Sequence, residues 1–413
     1  MLRSLLLMMA MPGLVAAAPV RAPGPGGGAG AGHYLFVFSG DQAGKGKDFL
    51  AVIDADPASP GYGRLLTSVA TDQISVRPHH TEYEMPASGM LFANDHDANR
   101  SFIFDLRDPL HPRVATSFTD MAGFSMPHSF LRLPNGHVLA SFQHAGPGMA
   151  KAGMAGMTGH AKHGGLVEID DGGKVVRAVA NADPAFPNAL MMPYSLAVLP
   201  DIDRVLSTNS SMHDEDIGGT TIQLWRLSDL TLLKTAYLDV GAEKYAHLNP
   251  EEVRIGPDGA GYIQTLACGI ERITGMASDR LDSKLVHVFP GNFCGVPTIV
   301  GHYLIQSVEA VKGFVVLDIA DGANPREVSR LTISPTFRPH WTGWDAKTGR
   351  IVATATEPGD RTYLLQFDQK TGSLTIDQTF RGIDGKPGFR FAKRAWPHGW
   401  TGAGKPHGAV FSR

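Results

Sequence analysis

Arg77-Pro78-His79-His80 opens a series, because Pro-His returns at Pro127-His128, Pro339-His340, Pro397-His398 and Pro406-His407. With 28 Pro and 17 His in 413 residues, chance supplies roughly one such pair, so the recurrence points to an internal repeat. Each start is followed by the same grammar of a short strand, a turn and further strands. After Pro78 the runs His79–Tyr83, Met90–Asn94, Ser101–Leu106 and Arg113–Phe118 read as strands. Units open likewise at Pro127-His128, Pro193-Tyr194, Pro250-Glu251, Pro297-Thr298 and Pro339-His340. Pro406-His407 is a seventh start, but the chain ends at Arg413, so one strand stands there alone. The runs Tyr34–Ser39, Phe49–Asp54 and Arg64–Val69 conversely lack a Pro-x strand in front of them. The expected fold is all-β: a seven-bladed β-propeller over residues 33–413, closed by pairing the C-terminal strand with the N-terminal strands. Closure removes exposed edges. No long helical periodicity appears, which argues against a parallel sheet with crossover helices.

Met1-Leu2-Arg3, the apolar run Leu5 to Val15 and Ala16-Ala17-Ala18 have the charge, apolar region and small-residue exit of a signal peptide. The expected organisation is a signal peptide over 1–18, a disordered Pro/Gly/Ala-rich lead-in over 19–32, and export to the periplasm without stable membrane insertion. A formal charge of -3 makes no case for a nucleic-acid partner. Hydrophobic content of 43% is ample for a packed core. Cys268 and Cys294 have no CxxC spacing; a bridge and two buried thiols both satisfy it.

In a propeller the inner strand of each blade runs along the central channel. The residues after each Pro then form a ring at one mouth: His79, His128, Tyr194, Glu251, Thr298, His340 and His407. Closure makes the blades carrying His340, His407, His79 and His128 neighbours. A single histidine at a strand start is more often a packing residue bonded to a carbonyl, but four in one arc favour a transition metal such as copper, zinc, iron or nickel. The candidate ligands are His79, His80, His128, His340 and His407, with either His79 or His80 turned to the channel axis and the other able to support a ligand. Glu251, Glu252 and Tyr194 on the opposite arc are candidates for proton transfer or substrate clamping.

His398 is a weaker candidate, since it lies in the insertion Gly382 to Gly404. The loop Gly146–Gly165 carries Met149, Met154, Met157, His160 and His163. Thioethers and imidazoles suit copper, so the loop tilts the choice toward copper over zinc, although a flexible insertion explains it nearly as well. There is no Gly-x-Ser-x-Gly elbow, phosphate-binding Gly-x-x-x-x-Gly-Lys or His-Glu-x-x-His, which argues against those hydrolase, nucleotide-binding and zinc-protease chemistries.

Phe49-Leu50-Ala51-Val52-Ile53-Asp54-Ala55-Asp56-Pro57-Ala58-Ser59-Pro60-Gly61-Tyr62-Gly63, followed by Pro78-His79-His80, resembles the opening of the selenium-binding protein family, whose members include methanethiol oxidases. Met126-Pro127-His128-Ser129 and the Pro134-Asn135-Gly136 turn look like its next motif. The likeness thins through Pro193-Tyr194 and Glu252-Val253-Arg254. It implies a seven-bladed propeller, a copper site on histidines, and oxidation of methanethiol by O2 to formaldehyde, hydrogen sulfide and hydrogen peroxide. His79 or His80, His128 and His407 fall on family-like motifs; His340 rests on the repeat alone. Family members often carry cysteine after the tyrosine matching Tyr62 and near the double histidine, where this chain has Gly63 and Thr81-Glu82-Tyr83, so selenium binding through cysteine is not expected. The expected function is an exported copper-dependent oxidase acting on a small thiol substrate and O2. The alternatives are a non-catalytic periplasmic copper-binding or delivery propeller, served by a copper donor protein, and a propeller lyase or scaffold without metal.

Overall fold

Seven of the Pro-x starts lie within the inner strand of a blade or directly before it; Pro397-His398 does not. The computed structural model describes residues 32–119, 121–146, 163–212, 218–278, 280–356 and 359–413. Among them, seven antiparallel sheets of at least four strands have the inner strands Pro78–Thr81, Phe124–Arg132, Pro193–Leu199, Pro250–Ile255, Thr298–Val300, Pro339–Asp345 and Gly404–Phe411. The last of these completes the N-terminal sheet, whose order is Leu65–Ile74, Lys47–Asp54, Tyr34–Asp41, Gly404–Phe411. Leu35 pairs with Phe411 and Asp41 with Gly404, so the ring closes by joining the two ends of the described chain. The helical elements among the described residues are the short 3-10 turns Pro200–Ile202, Met276–Ser278 and Glu309–Val311. No helix among them is long and apolar enough to cross a membrane. The expected signal peptide, and most of the Met/His loop, lie outside the described residues.

Strand alternation sends aromatic and branched side chains to both faces of each blade, where they pack against the neighbouring blades. Phe38 meets Phe102 and Phe104 with ring centroids 5.9 and 6.0 Å apart between the N-terminal blade and the next. Trp341, fully buried between the last blade and the closing strand, donates its indole N–H to the Ala409 carbonyl at 2.8 Å. His33 adds a polar clasp, bonded to Asp345 at 2.7 Å and to Ser412 at 3.1 Å. Cys268 and Cys294 form a disulfide with both residues fully buried, which decides between the two readings of the pair.

One irregularity recurs and positions the channel side chains. Pairing of the inner with the second strand breaks after the Pro and resumes three residues later, between Pro78 and Thr81, Pro127 and Phe130, Pro193 and Leu196, Pro250 and Val253, and Pro339 and Thr342. The closing strand shifts register between Pro406 and Ala409. A bulge interrupts the strict in-out alternation and re-aims side chains, so that consecutive residues such as His79 and His80 both turn toward the channel.

Glu271 is fully buried; it accepts Ser283 Oγ–H at 2.8 Å, and its other oxygen has no partner. Burial, with Asp239 adding repulsion, pushes its carboxyl from 4.5 up to about 7. The folded state thus holds this proton more tightly than the unfolded chain does. Its stabilising contribution is complete below the unfolded value and is lost as pH rises through the folded one. Glu271→Gln needs no proton and is expected to exceed the parent in stability by on the order of 2 kcal/mol at about pH 8, with the gap closing toward about pH 5. Urea unfolding at the two pH values checks this.

Candidate metal centre

The bulges are clamped by polar side chains of the second strands. The amide N–H groups of His80, Ser129, Ser195 and Glu252 donate to Asn94 Oδ1, Ser141 Oγ, Thr208 Oγ1 and Gln264 Oε1 at 3.2, 3.0, 3.0 and 3.3 Å. The same side chains reach the next blade. Asn94 Nδ2 donates to the His128 carbonyl at 2.8 Å, Ser141 Oγ to that of Tyr194 at 2.7 Å, and Thr208 Oγ1 to that of Glu251 at 2.6 Å. Ser307 and Thr354 serve the carbonyls of His340 and His407 in the same way, at 3.0 and 2.7 Å. These positioning residues escape the motif reading, although a polar residue toward the end of each second strand is a visible signal.

The arc of histidines is one cluster. Ring centroids lie 4.1 Å apart for His79 and His80, 4.3 Å for His79 and His407, 4.4 Å for His340 and His407, and 4.4 Å for His80 and His128. Both members of the double histidine therefore belong to it. His79 lines a cavity of about 450 Å³ together with His340, His407, Tyr194 and Glu251, while His80 and His128 are wholly buried beside it. Two glycines permit this closeness: a Cβ on Gly408 would fall 2.6 Å from the Thr81 amide nitrogen, and one on Gly295 would fall 2.7 Å from the His340 carbonyl.

Burial first, and the neighbouring imidazoles second, hold His79, His80 and His128 well below the usual imidazole range. His407 is lowered in the same way, and burial takes His340 down to about 4. The rings are therefore neutral near pH 7 and keep lone pairs to offer. His128 Nδ1 lies 2.9 Å from the Tyr194 carbonyl, which accepts its N–H and leaves Nε2 as the lone-pair nitrogen. Both ring nitrogens of His80, Nδ1 of His340, Nδ1 of His407 and Oε1 of Glu252 are buried without a hydrogen-bond partner. Such atoms are rare in folded proteins. One donor each from His79, His80 and His407, and one each from His80, His128 and Glu252, lie within 4.8 Å of one another. A borderline-soft transition metal fits this donor set.

On the opposite arc Tyr194 packs on His128 with centroids 3.6 Å apart. Its hydroxyl is pushed well above the usual phenol range by burial first and by Glu251 and Glu252 next. Glu251 Oε2 accepts Gln264 Nε2–H at 3.2 Å. Glu252 Oε2 accepts Tyr83 O–H at 2.5 Å, Ser195 O–H at 2.9 Å and an Arg254 N–H at 3.1 Å.

Thr298 departs from the ring: it lines a second cavity, at the far ends of the inner strands. Its strand is only three residues long and pairs without a bulge, so nothing re-aims its side chain, and Phe293 and Leu266 fill that part of the first cavity's wall. His398 lies outside the cluster. It bonds Ser68 Oγ at 2.7 Å and packs among Phe49, Trp396 and Trp400. Of the Met/His loop, His163 forms an isolated bridge with Met191; Met149, Met154, Met157 and His160 are outside the described residues. His96, with its ring 5.9 Å from those of His79 and His128, and Tyr83 reach the centre by tertiary convergence and carried no local signal.

No family model matches the chain. A stretch of 141 residues is 30% identical to methanethiol oxidase from Hyphomicrobium sp., covering 33% of this chain and 31% of that protein. Methanethiol oxidase from Ruegeria pomeroyi is 28% identical over 151 residues, 35% of this chain and 31% of that one. The chain thus spans about a third of the length of these curated relatives. Among solved structures, a hypothetical selenium-binding protein from Sulfolobus tokodaii matches with a TM-score of 0.72 at 14% identity, over 92% of this chain and 93% of that one. A periplasmic gluconolactonase from Pseudomonas aeruginosa gives 0.63 at 13% identity, over 92% and 99%. At these identities the structural likeness is one of fold, shared by proteins of different activity. Over about a third of its length the chain is similar in sequence to methanethiol oxidases, and it shares its propeller fold with the hypothetical selenium-binding protein.

Two substitutions separate centre from scaffold. His398→Ala is expected to lower stability by about 1–2 kcal/mol and leave bound metal unchanged. Thr354→Val, which strips the His407 carbonyl of its donor, is expected to weaken metal retention as well as stability. Metal analysis after dialysis against a weak chelator, beside thermal unfolding, reads both.

Proposed function

We propose, from the relation to the selenium-binding protein and methanethiol oxidase family, that this chain is an exported, copper-dependent oxidase of small thiols, converting methanethiol, O2 and water to formaldehyde, hydrogen sulfide and hydrogen peroxide. The observation that carries the reading is the buried cluster of neutral imidazoles with unpartnered nitrogens at the base of a cavity. His79, His80, His128, His340 and His407 would hold the ion. Copper would supply the one-electron steps that a thiol needs to react with O2, which redox-inert zinc does not offer.

The chain's own groups have distinct tasks. His128 is fixed in orientation and tautomer by the Tyr194 carbonyl. Glu251, on the cavity wall with Tyr194, would take the thiol proton and pass it to cavity water, while the Tyr194 hydroxyl stays protonated and can donate. Phe293, Leu266 and Met212 supply the apolar part of the wall against which a methyl group rests. The disulfide supports export to an oxidising compartment, where such bonds persist.

The test is the tag-free protein recovered from the periplasm. It should contain copper and consume methanethiol with formation of hydrogen sulfide and hydrogen peroxide. His128→Ala should lose activity by at least about 100-fold in kcat/KM, the scale set by misplacing a group in the reacting centre. Protein recovered without copper, or His128→Ala at full activity, sinks the proposal. Copper held without turnover would make the chain a copper carrier instead.

A further inference from the structure

The donor atoms of the cluster fall into two sets that share His80, and we propose that the chain binds a second transition-metal ion in a position formed by His80, His128 and Glu252, beside the His79–His407 arc. This deepens the metal-centre reading and rests on it. His80 is wholly buried, yet neither Nδ1 nor Nε2 has a hydrogen-bond partner. A neutral imidazole carries one N–H and one lone pair, and leaving either unmet in a dry site is costly. A single ion satisfies one nitrogen and strands the other. His80 belongs to both donor sets, with His79 and His407 in one and with His128 and Glu252 in the other.

Glu252 is shaped as a ligand. Three donors, from Tyr83, Ser195 and Arg254, engage Oε2. Oε1 has none, although the residue is only 1% exposed, and it stands 3.8 Å from His80 Nδ1. One oxygen is anchored and the other is held free toward the imidazole. His128 is held in orientation, with Nδ1 engaged by the Tyr194 carbonyl, so that its Nε2 lone pair faces the cluster and meets His79 Nε2 at 3.0 Å in a hydrogen bond that an ion would replace.

Two imidazoles and one carboxylate make a harder set than the all-histidine arc, suited to a divalent first-row ion such as Cu(II), Zn(II) or Fe(II). With both positions filled His80 is the shared ligand. An imidazole serving two ions does so as imidazolate, and its single N–H proton is released to water.

The test uses the full chain with its affinity tag removed, loaded with Cu(II) alone, dialysed against a weak chelator and assayed for copper per chain. With a variant lacking both His80 and His407 as the blank, the parent should hold two coppers more and Glu252→Gln or His128→Gln one more; a parent only one above the blank is a one-ion centre and overturns the proposal. The double variant should lose no more than either single one, because both changes empty the same position. Comparison between variants cancels copper held elsewhere on the chain. Electron paramagnetic resonance adds a second readout: the parent should show less integrated spin than its copper content through coupling across His80, and the variants should recover it. Equal copper in parent and variants overturns the proposal, as does an additive loss in the double variant. If Glu252→Gln fails to fold by circular dichroism, His128→Gln carries the test. Stoichiometry is read without turnover, so a one-ion protein that oxidises methanethiol sinks this proposal alone, whereas a two-ion protein that does not sinks only the activity.

Discussion

A belt of hydrogen bonds, running from a side chain on the second strand of one blade to the carbonyl of the ring residue in the next, is the interaction on which the centre depends. Asn94, Ser141, Thr208, Ser307 and Thr354 each supply one link. A single link adds only about 1 kcal/mol net, but breaking it leaves a buried carbonyl unmet, which costs more. The belt therefore acts less as glue than as a gauge, because a blade that slides or rotates breaks bonds on both sides. Its link to His407 exists only because the C-terminal strand pairs with Tyr34–Asp41. Ring closure and assembly of the histidine arc are thus one event: an open ring has no His407 beside His79.

That geometry fixes the electrostatics. Several imidazoles within van der Waals reach of one another in a buried channel cannot carry protons together, since desolvation and mutual repulsion act in the same direction. They stay neutral, and His80, His340 and His407 keep ring nitrogens without a hydrogen-bond partner. The ion-free fold carries that deficit, and an ion that binds the folded chain and not the unfolded one converts it into stability.

Much of this was legible in residue order. The recurring Pro-x start located the inner strands, and the lone C-terminal strand together with N-terminal runs lacking a Pro-x start implied the closure. Adjacency of the histidine-bearing blades followed from the ring. The bulge was not legible, because it is a property of strand pairing, and so His79 and His80 looked like alternatives when the structure brings both inward. The ring rule failed at Thr298 for the matching reason: without a bulge, position after a proline says nothing about which mouth a side chain serves. His398 shows the opposite error, in which a shared dipeptide hid a different environment, an aromatic wedge against Phe49. Tyr83, His96 and Arg254 come from segments with no common pattern, and only the closed ring assembles them.

The two mouths of the channel differ in kind, and the difference bears on how the centre is reached. The cavity of about 450 Å³ at the strand starts carries His79, His340, His407, Glu251, Arg77 and Lys405. The one of about 570 Å³ at the strand ends is walled largely by Phe130, Leu133, Leu196, Val198, Ile255 and Ile299. Between them Tyr83 lies stacked on Trp341, with centroids 4.9 Å apart and rings 8° from parallel, and the Arg254 guanidinium sits 3.9 Å from its centroid. A phenol held by an indole and a cation, with its hydroxyl on Glu252, is a plug that cannot shift without breaking the anchor of Glu252 Oε2. The strand-start cavity is therefore the open approach to His79, His340 and His407. The same plug keeps Glu252 and His80 dry from the other side, where a carboxylate oxygen and a ring nitrogen without hydrogen-bond partners would attract a cation far more strongly than they would in water.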